Sequence, residues 1–217
     1  MRWTMAFLIG ILSAGVATPL RAQSVWQVGY AEADITPAAG EAMLAGFGRP
    51  RQVQGTLSPL RAQVLALQDG TGRRAMLFTA DVLGFSRVSV EVLRRKIEKA
   101  HNVEPSAICF TASHTHWGPA INYRTNFTIG GLNVWYLARL EETLLRIADA
   151  AIKDLAPGGV DYGSCDVRIG MCRRLPNERG QYIWAANPEG SYDEHTPVLR
   201  ITRSRSPARR SICCTRL

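Results

Sequence analysis

Residues 75–112 constrain the fold more than any other stretch of the chain. An apolar run at 75–80 precedes a helical pattern at 86–100 and a second short apolar run at 107–112. In the middle segment Val90, Leu93, Ile97 and Ala100 recur at spacings of three and four, which gathers them on one helix face. Ser86 suits the N-cap, and Arg94, Arg95, Lys96 and Lys99 fall in later turns, where the helix dipole favours positive charge. Strand, helix and strand in that order make a crossover, and crossovers are right-handed with their two strands parallel. The reading is an α/β fold: a mixed sheet with at least one parallel βαβ unit and flanking helices.

The flanking sequence supplies the other elements. Residues 25–35 alternate imperfectly and break at Thr36-Pro37, a first strand, and the Gly-, Pro- and Gln-rich 40–55 reads as a loop. Residues 62–68 alternate apolar and polar, and Asp69-Gly70-Thr71-Gly72 turns them back into 75–80 as a hairpin. Leu137, Leu140, Leu144, Ile147 and Ala151 line one face of a second helix, ended by Pro157-Gly158-Gly159. Residues 160–169 and 197–201 read as further strands.

The ends differ in character from the body. Arg2, an apolar run at 5–16 and the exit residues Thr18, Pro19 and Ala22 form a secretory leader, too short to span a bilayer comfortably. The expected organisation is a signal peptide at 1–22, a body at 23–201 and a basic tail without periodicity at 202–217, with export to the periplasm or the medium. The net charge of +8 sits mostly in Arg2, Arg21, Arg203, Arg205, Arg209, Arg210 and Arg216, which leaves a near-neutral body. Such a body has no electrostatic footprint for a phosphate backbone, which argues against nucleic acid as a partner. Of five cysteines, Cys109 lies in an apolar run, Cys165 and Cys172 are candidates for a disulfide, and Cys213 and Cys214 lie in the tail.

The chemistry-bearing segment is Thr111-Ala112-Ser113-His114-Thr115-His116-Trp117-Gly118-Pro119. If the backbone stays extended, residues two apart face the same side, so both imidazoles address one point. A neutral imidazole is a good zinc ligand, and a second can orient water or relay a proton. The spacing alone leaves open a metal site and a structural or solvated pair. Asp81, at the end of the neighbouring parallel strand, reads either as a carboxylate steadying an imidazole or as a turn residue. Both Asp81 and His114 emerge at strand carboxyl ends, the usual place for a site in an open α/β sheet. His101 reads as a helix-terminal residue and His195 as part of a polar connector; Arg173-Arg174 reads as a substrate clamp or an exposed pair. Asn126-Phe127-Thr128 is a glycosylation acceptor pattern. No Gly-x-Ser-x-Gly elbow, phosphate-cradling loop or His-Glu-x-x-His helix is present.

The order of segments resembles the neutral/alkaline non-lysosomal ceramidases. Gly29-Tyr30-Ala31-Glu32-Ala33-Asp34-Ile35-Thr36-Pro37 is similar to that family's opening strand. Residues 43–48 resemble its Met-x-Gly-Tyr-Gly loop with Phe47 for tyrosine, and Leu60-Arg61-Ala62-Gln63-Val64 its next strand. Phe78-Thr79-Ala80-Asp81 resembles its Ser-Ala-Asp segment, and residues 113–119 its Thr-His-Thr-His-Ser-Gly-Pro signature. The likeness runs over about residues 28–200 and implies a zinc-dependent amidase cleaving the N-acyl bond of ceramide, or a related N-acyl lipid. It assigns His114 as a zinc ligand and His116 as a catalytic residue beside the scissile bond. Peripheral contact with a membrane accompanies such a substrate. Trp117 stands where the family usually has serine and Ala120 where it often has glycine. The resemblance also places a further histidine ligand, a catalytic serine and late glutamate and tyrosine ligands beyond residue 217. The expectation is therefore a frameshift or truncation near Thr202 and a chain inactive by itself. Read from residues alone, another exported metallohydrolase with a two-metal site and a non-catalytic secreted domain remain as alternatives.

Overall fold

Period-two alternation builds the sheet. Ala62, Val64 and Ala66 of β2 (Arg61–Gln68) face one side, and Leu65 and Leu67 the other. The structure, a computed structural model, describes residues 26–46, 51–122 and 131–203. The leader, Phe47, the Asn126 acceptor pattern and the tail with Cys213 and Cys214 lie outside the described residues.

The expected hairpin forms between β2 and β3 (Arg74–Ala80), antiparallel with Leu65 opposite Leu77. Asp69 ties its turn: Oδ1 accepts the Thr71 and Arg73 N–H groups at 2.9 and 3.0 Å and the Thr71 hydroxyl at 2.6 Å. α1 (Arg87–His101) starts as expected, with the Ser86 hydroxyl accepting the Ser89 N–H, and stops at Asn102 in a left-handed conformation. The Arg94 guanidinium donates twice to the Ile108 carbonyl, at 2.9 and 2.7 Å, and so fixes where β4 (Ile108–Ala112) begins. β4 runs parallel to β3, which completes the expected crossover.

β1 (Trp26–Asp34) pairs antiparallel with β2 on one side and with β5 (Ala156–Asp166) on the other. β8 (His195–Arg203) closes the order β4-β3-β2-β1-β5-β8. α2 (Val134–Lys153) buries Leu137, Leu140, Leu144, Ile147 and Ala151, the face read from the sequence, against β1 and β2. Contact with β1 is direct. A Cβ on Gly29 would stand 1.9 Å from the Ala151 carbonyl oxygen, so any side chain there would push the helix off the strand. Tyr136 adds a buried bond, its hydroxyl donating to the Ile35 carbonyl at 2.6 Å, and burial pushes its pKa upward.

Three expectations need correcting. Helix α2 ends at Lys153, and Pro157-Gly158-Gly159 belongs to β5, where Gly158 lets the Thr202 carbonyl approach to 2.5 Å of a would-be Cβ. β8 runs through Thr202 and Arg203, two residues past the expected strand end at Ile201, because both continue the antiparallel pairing with Gly159 and Gly158. Cys109, Cys165 and Cys172 all carry free thiols, so the candidate disulfide is not formed.

The two faces of the sheet are unequal. The α-helices cover the main core, which centres on Val64, Phe78, Leu93, Ile97, Tyr136 and Leu144. The opposite face carries a small cluster of Val28, Leu65 and Ile201, with Leu67, Leu77 and Leu199 partly buried around it. Beyond Trp26, β5 and β8 continue as a two-stranded arm, with residues 161–166 exposed. It leads to a separate hairpin of β6 (Cys172–Pro176) and β7 (Tyr182–Asn187), which the sequence reading did not foresee.

Candidate active site

The parallel pair β3 and β4 ends in step, Ala80 opposite Ala112, and the chain leaves both strands at the same edge of the sheet. After β3, Asp81 folds back on β2: its N–H donates to the Arg61 carbonyl and its Oδ2 accepts the Arg61 N–H, each at 2.9 Å. After β4, the Ser113 N–H still reaches the Ala80 carbonyl at 3.1 Å, and then the backbone changes hand. His114 has φ of 58°, in the left-handed region that non-glycine residues enter at a cost of about 1–2 kcal/mol.

That reversal corrects the expected route by which the two histidines meet. An extended strand would align them by alternation. Here a left-handed residue followed by a turn folds the segment, and the rings come together with centroids 5.3 Å apart and planes at 83°. Each ring is held by a main-chain carbonyl. His114 Nδ1 lies 2.7 Å from the Leu83 oxygen and His116 Nδ1 lies 3.0 Å from the Gly46 oxygen. A carbonyl only accepts, so each Nδ1 is the donor, and the lone pair of each neutral ring resides on Nε2. Both histidines are exposed at the sheet edge.

A second segment backs the turn. Residues 43–46 lie along residues 118–120: Ala45 N–H donates to Gly118 O at 3.0 Å, Ala120 N–H to Met43 O at 2.8 Å, and Leu44 bridges Pro119. Residues 40–43 also border an open cleft of about 390 Å³ lined in part by Met43, Gln52, Leu132, Asn133 and Trp135. The Glu41 carboxylate accepts from the Arg139 guanidinium at 2.8 Å beside that cleft. Trp117, next to His116, is 68% exposed.

The structure therefore brings together His114 and His116 and leaves the other candidates elsewhere. The Asp81 carboxylate bonds the end of β2, which is the turn role that its sequence position allowed. His101 closes α1, and its carbonyl accepts from Arg74 Nη1 at 2.9 Å. His195 starts β8 with Nδ1 3.7 Å from Asp166 Oδ1, and Arg173 and Arg174 lie on β6, all at the far end of the arm. Sequence reasoning missed Gly46 and Leu83, because both act through carbonyl oxygens that carry no side-chain signature. The one hint was a glycine in the 43–48 loop.

Residues 26–205 match the family model described as neutral/alkaline non-lysosomal ceramidase, N-terminal. Two solved structures share the fold. A crystal structure of the neutral ceramidase from Pseudomonas aeruginosa has a TM-score of 0.69 at 20% identity, over 83% of this chain and 30% of that one. A ceramidase complexed with C2 has a TM-score of 0.68 at 20% identity, over 83% of this chain and 29% of that one. The chain thus spans under a third of the length of these structures. No curated protein matches the sequence.

Proposed function

The chain belongs to the neutral/alkaline non-lysosomal ceramidase family, and on that footing we propose that it forms the N-terminal part of a zinc-dependent amidase. The reaction is hydrolysis of the N-acyl bond of ceramide, or of a related N-acyl lipid, to a sphingoid base and a fatty acid. The observation that supports this reading is the His114–His116 pair, with rings 5.3 Å apart at the carboxyl ends of parallel strands.

The donor chemistry suits zinc in part. Two neutral imidazoles, each with Nδ1–H given to a carbonyl, offer Nε2 in the manner of zinc-binding histidines. His114 is assigned as the ligand. Among the described residues no group of three or more His, Cys, Asp and Glu side chains is placed to hold a metal, and catalytic zinc takes three protein ligands. Residues other than those described must complete the set. Bound there, zinc would polarise the amide carbonyl and acidify a water molecule.

His116 would stand beside the scissile bond and accept a proton at Nε2 while its Nδ1–H stays committed to Gly46. Trp117, 68% exposed, places an indole beside His116 where the family's serine would place a hydroxyl. It would shift preference among acyl amides towards more apolar groups beside the amide. A lipid substrate also entails peripheral contact with a membrane, and the apolar leader at 5–16 fits an exported protein.

The 217-residue chain alone is expected to turn over no ceramide and to bind zinc only weakly, with His114→Ala removing the binding that remains. Fatty-acid release from ceramide and zinc titration monitored by calorimetry test this. Turnover by the chain alone, or zinc binding indifferent to His114, would overturn the assignment.

A further inference from the structure

The geometry points to Gly46 as a positioning residue for His116, an inference that rests on His116 belonging to the site. Three observations converge on it. The Gly46 carbonyl receives the His116 Nδ1–H at 3.0 Å and is the bond that sets the tautomer of that ring. Gly46 has φ of +80°, a conformation open to glycine at little cost. A Cβ built there would lie 2.2 Å from His116 Nδ1 and 2.5 Å from its Cε1, inside the ring's own space.

These facts are linked. Only a residue with no side chain can bring its carbonyl up to the ring edge, because the φ that aims the oxygen also aims the absent Cβ at the imidazole. Ala45, whose N–H is bonded to the Gly118 carbonyl, keeps the loop from drawing back. Leu83 does the corresponding task for His114 from the loop after β3, at 2.7 Å, with no such steric condition. The two rings are thus held in the same tautomer from opposite segments, and the holder of His116 alone depends on glycine.

The consequence is spectroscopic. In open solution a neutral histidine favours the Nε2–H form. In this chain both rings should be Nδ1–H. The test is nitrogen-15 NMR of the histidine rings in the full 217-residue chain, without metal or lipid, at mildly alkaline pH. The expected result is Nδ1–H at His114 and at His116. Gly46→Ala should return His116 to the Nε2–H form and leave His114 in Nδ1–H, which also shows that the fold survives. Nε2–H at His116 in the parent chain, or an unchanged His116 tautomer in Gly46→Ala, overturns the inference.

Should Gly46→Ala fail to fold, thermal melts of the double variant replace it. Gly46→Ala in a His116→Ala background, which vacates the clashing space, should recover a cooperative melt close to that of His116→Ala alone. Failure of the double variant to fold while His116→Ala folds overturns the steric link. Neither measurement involves zinc or ceramide, so their outcome is separable from that of the proposed reaction.

Discussion

The β2–β3 hairpin and the β6–β7 hairpin use nearly the same turn and meet opposite fates. In the first, the Asp69 side chain accepts the Thr71 and Arg73 N–H groups. In the second, Asn177 Oδ1 accepts the Arg179 and Gln181 N–H groups at 3.0 and 2.9 Å. Local chemistry closes both. The first is then flanked by β1 and β4 and covered by helices, so that Val64, Ala66, Met76 and Phe78 are buried. The second stays a two-stranded unit whose Tyr182, Ile183 and Trp184 are 72%, 46% and 86% exposed. A two-stranded hairpin by itself is marginal in water. Turn chemistry makes a hairpin; burial makes it persist.

The widest gap between the two regions should appear in amide exchange. Amides in the centre of β2, such as that of Leu65, are expected to open only with the whole fold, at roughly 5–15 kcal/mol, whereas those of β7 should open locally at a small fraction of that. Comparable protection in the two hairpins would break the contrast.

Side-chain deletion gives a smaller difference of the same sign. Leu144→Ala, at the fully buried centre of α2, should lower unfolding free energy by about 2–5 kcal/mol in urea titrations. Trp184→Ser, on the exposed β7, should stay within about 0.5 kcal/mol despite removing a larger side chain. A large loss at Trp184 would mean that the arm is packed against something in solution.

Acid should separate the turns most finely. Hydrogen bonds from the Thr71 hydroxyl, then the Thr71 and Arg73 amides, lower the Asp69 pKa from 3.8 to about 2. A depressed folded-state value means that Asp69 contributes stability above its unfolded pKa and loses it as pH falls through the folded one. Thermal melts of Asp69→Asn should therefore lie slightly below those of the parent at neutral pH. The difference should shrink between about pH 4 and pH 2. Asn177 carries no titrating group, so an Asn177→Ala difference should stay level over the same range.

The crossover and the α2 face were legible in the sequence because their signals are local and periodic. The α1 face was legible only in part: Ala100, expected on it, is exposed, and Ser89 is buried instead. Ser86, Leu93 and Ile97 act within one element, as do Leu137, Leu140 and Leu144. The β6–β7 hairpin was not legible, since Arg173, Arg174 and the exposed run Tyr182-Ile183-Trp184 show no alternation. Its one signal was the Asn177-to-Gly180 turn, with Gly180 at φ +72°. The early start of β5 was hidden because Pro157-Gly158-Gly159 reads as a helix stop, whereas close approach by Val28 and Thr202 is what needs Gly158. At the site, the pair His114 and His116 could be read from spacing. The left-handed backbone that joins their rings could not, because it is fixed by partners at Leu83 and Gly46 that are remote in sequence.

Asp154, just past the end of α2, gives the arm its bearing. Its Oδ2 accepts the Tyr30 N–H from β1 at 2.9 Å and the Arg203 Nη1 at 2.5 Å, while its main-chain oxygen takes Arg203 Nη2 at 2.8 Å. One carboxylate thus joins a helix terminus, an inner strand and the last residue of β8 at a single point. The outlying ribbon is thereby rooted by a side chain as well as by the backbone pairing of β5 to β1.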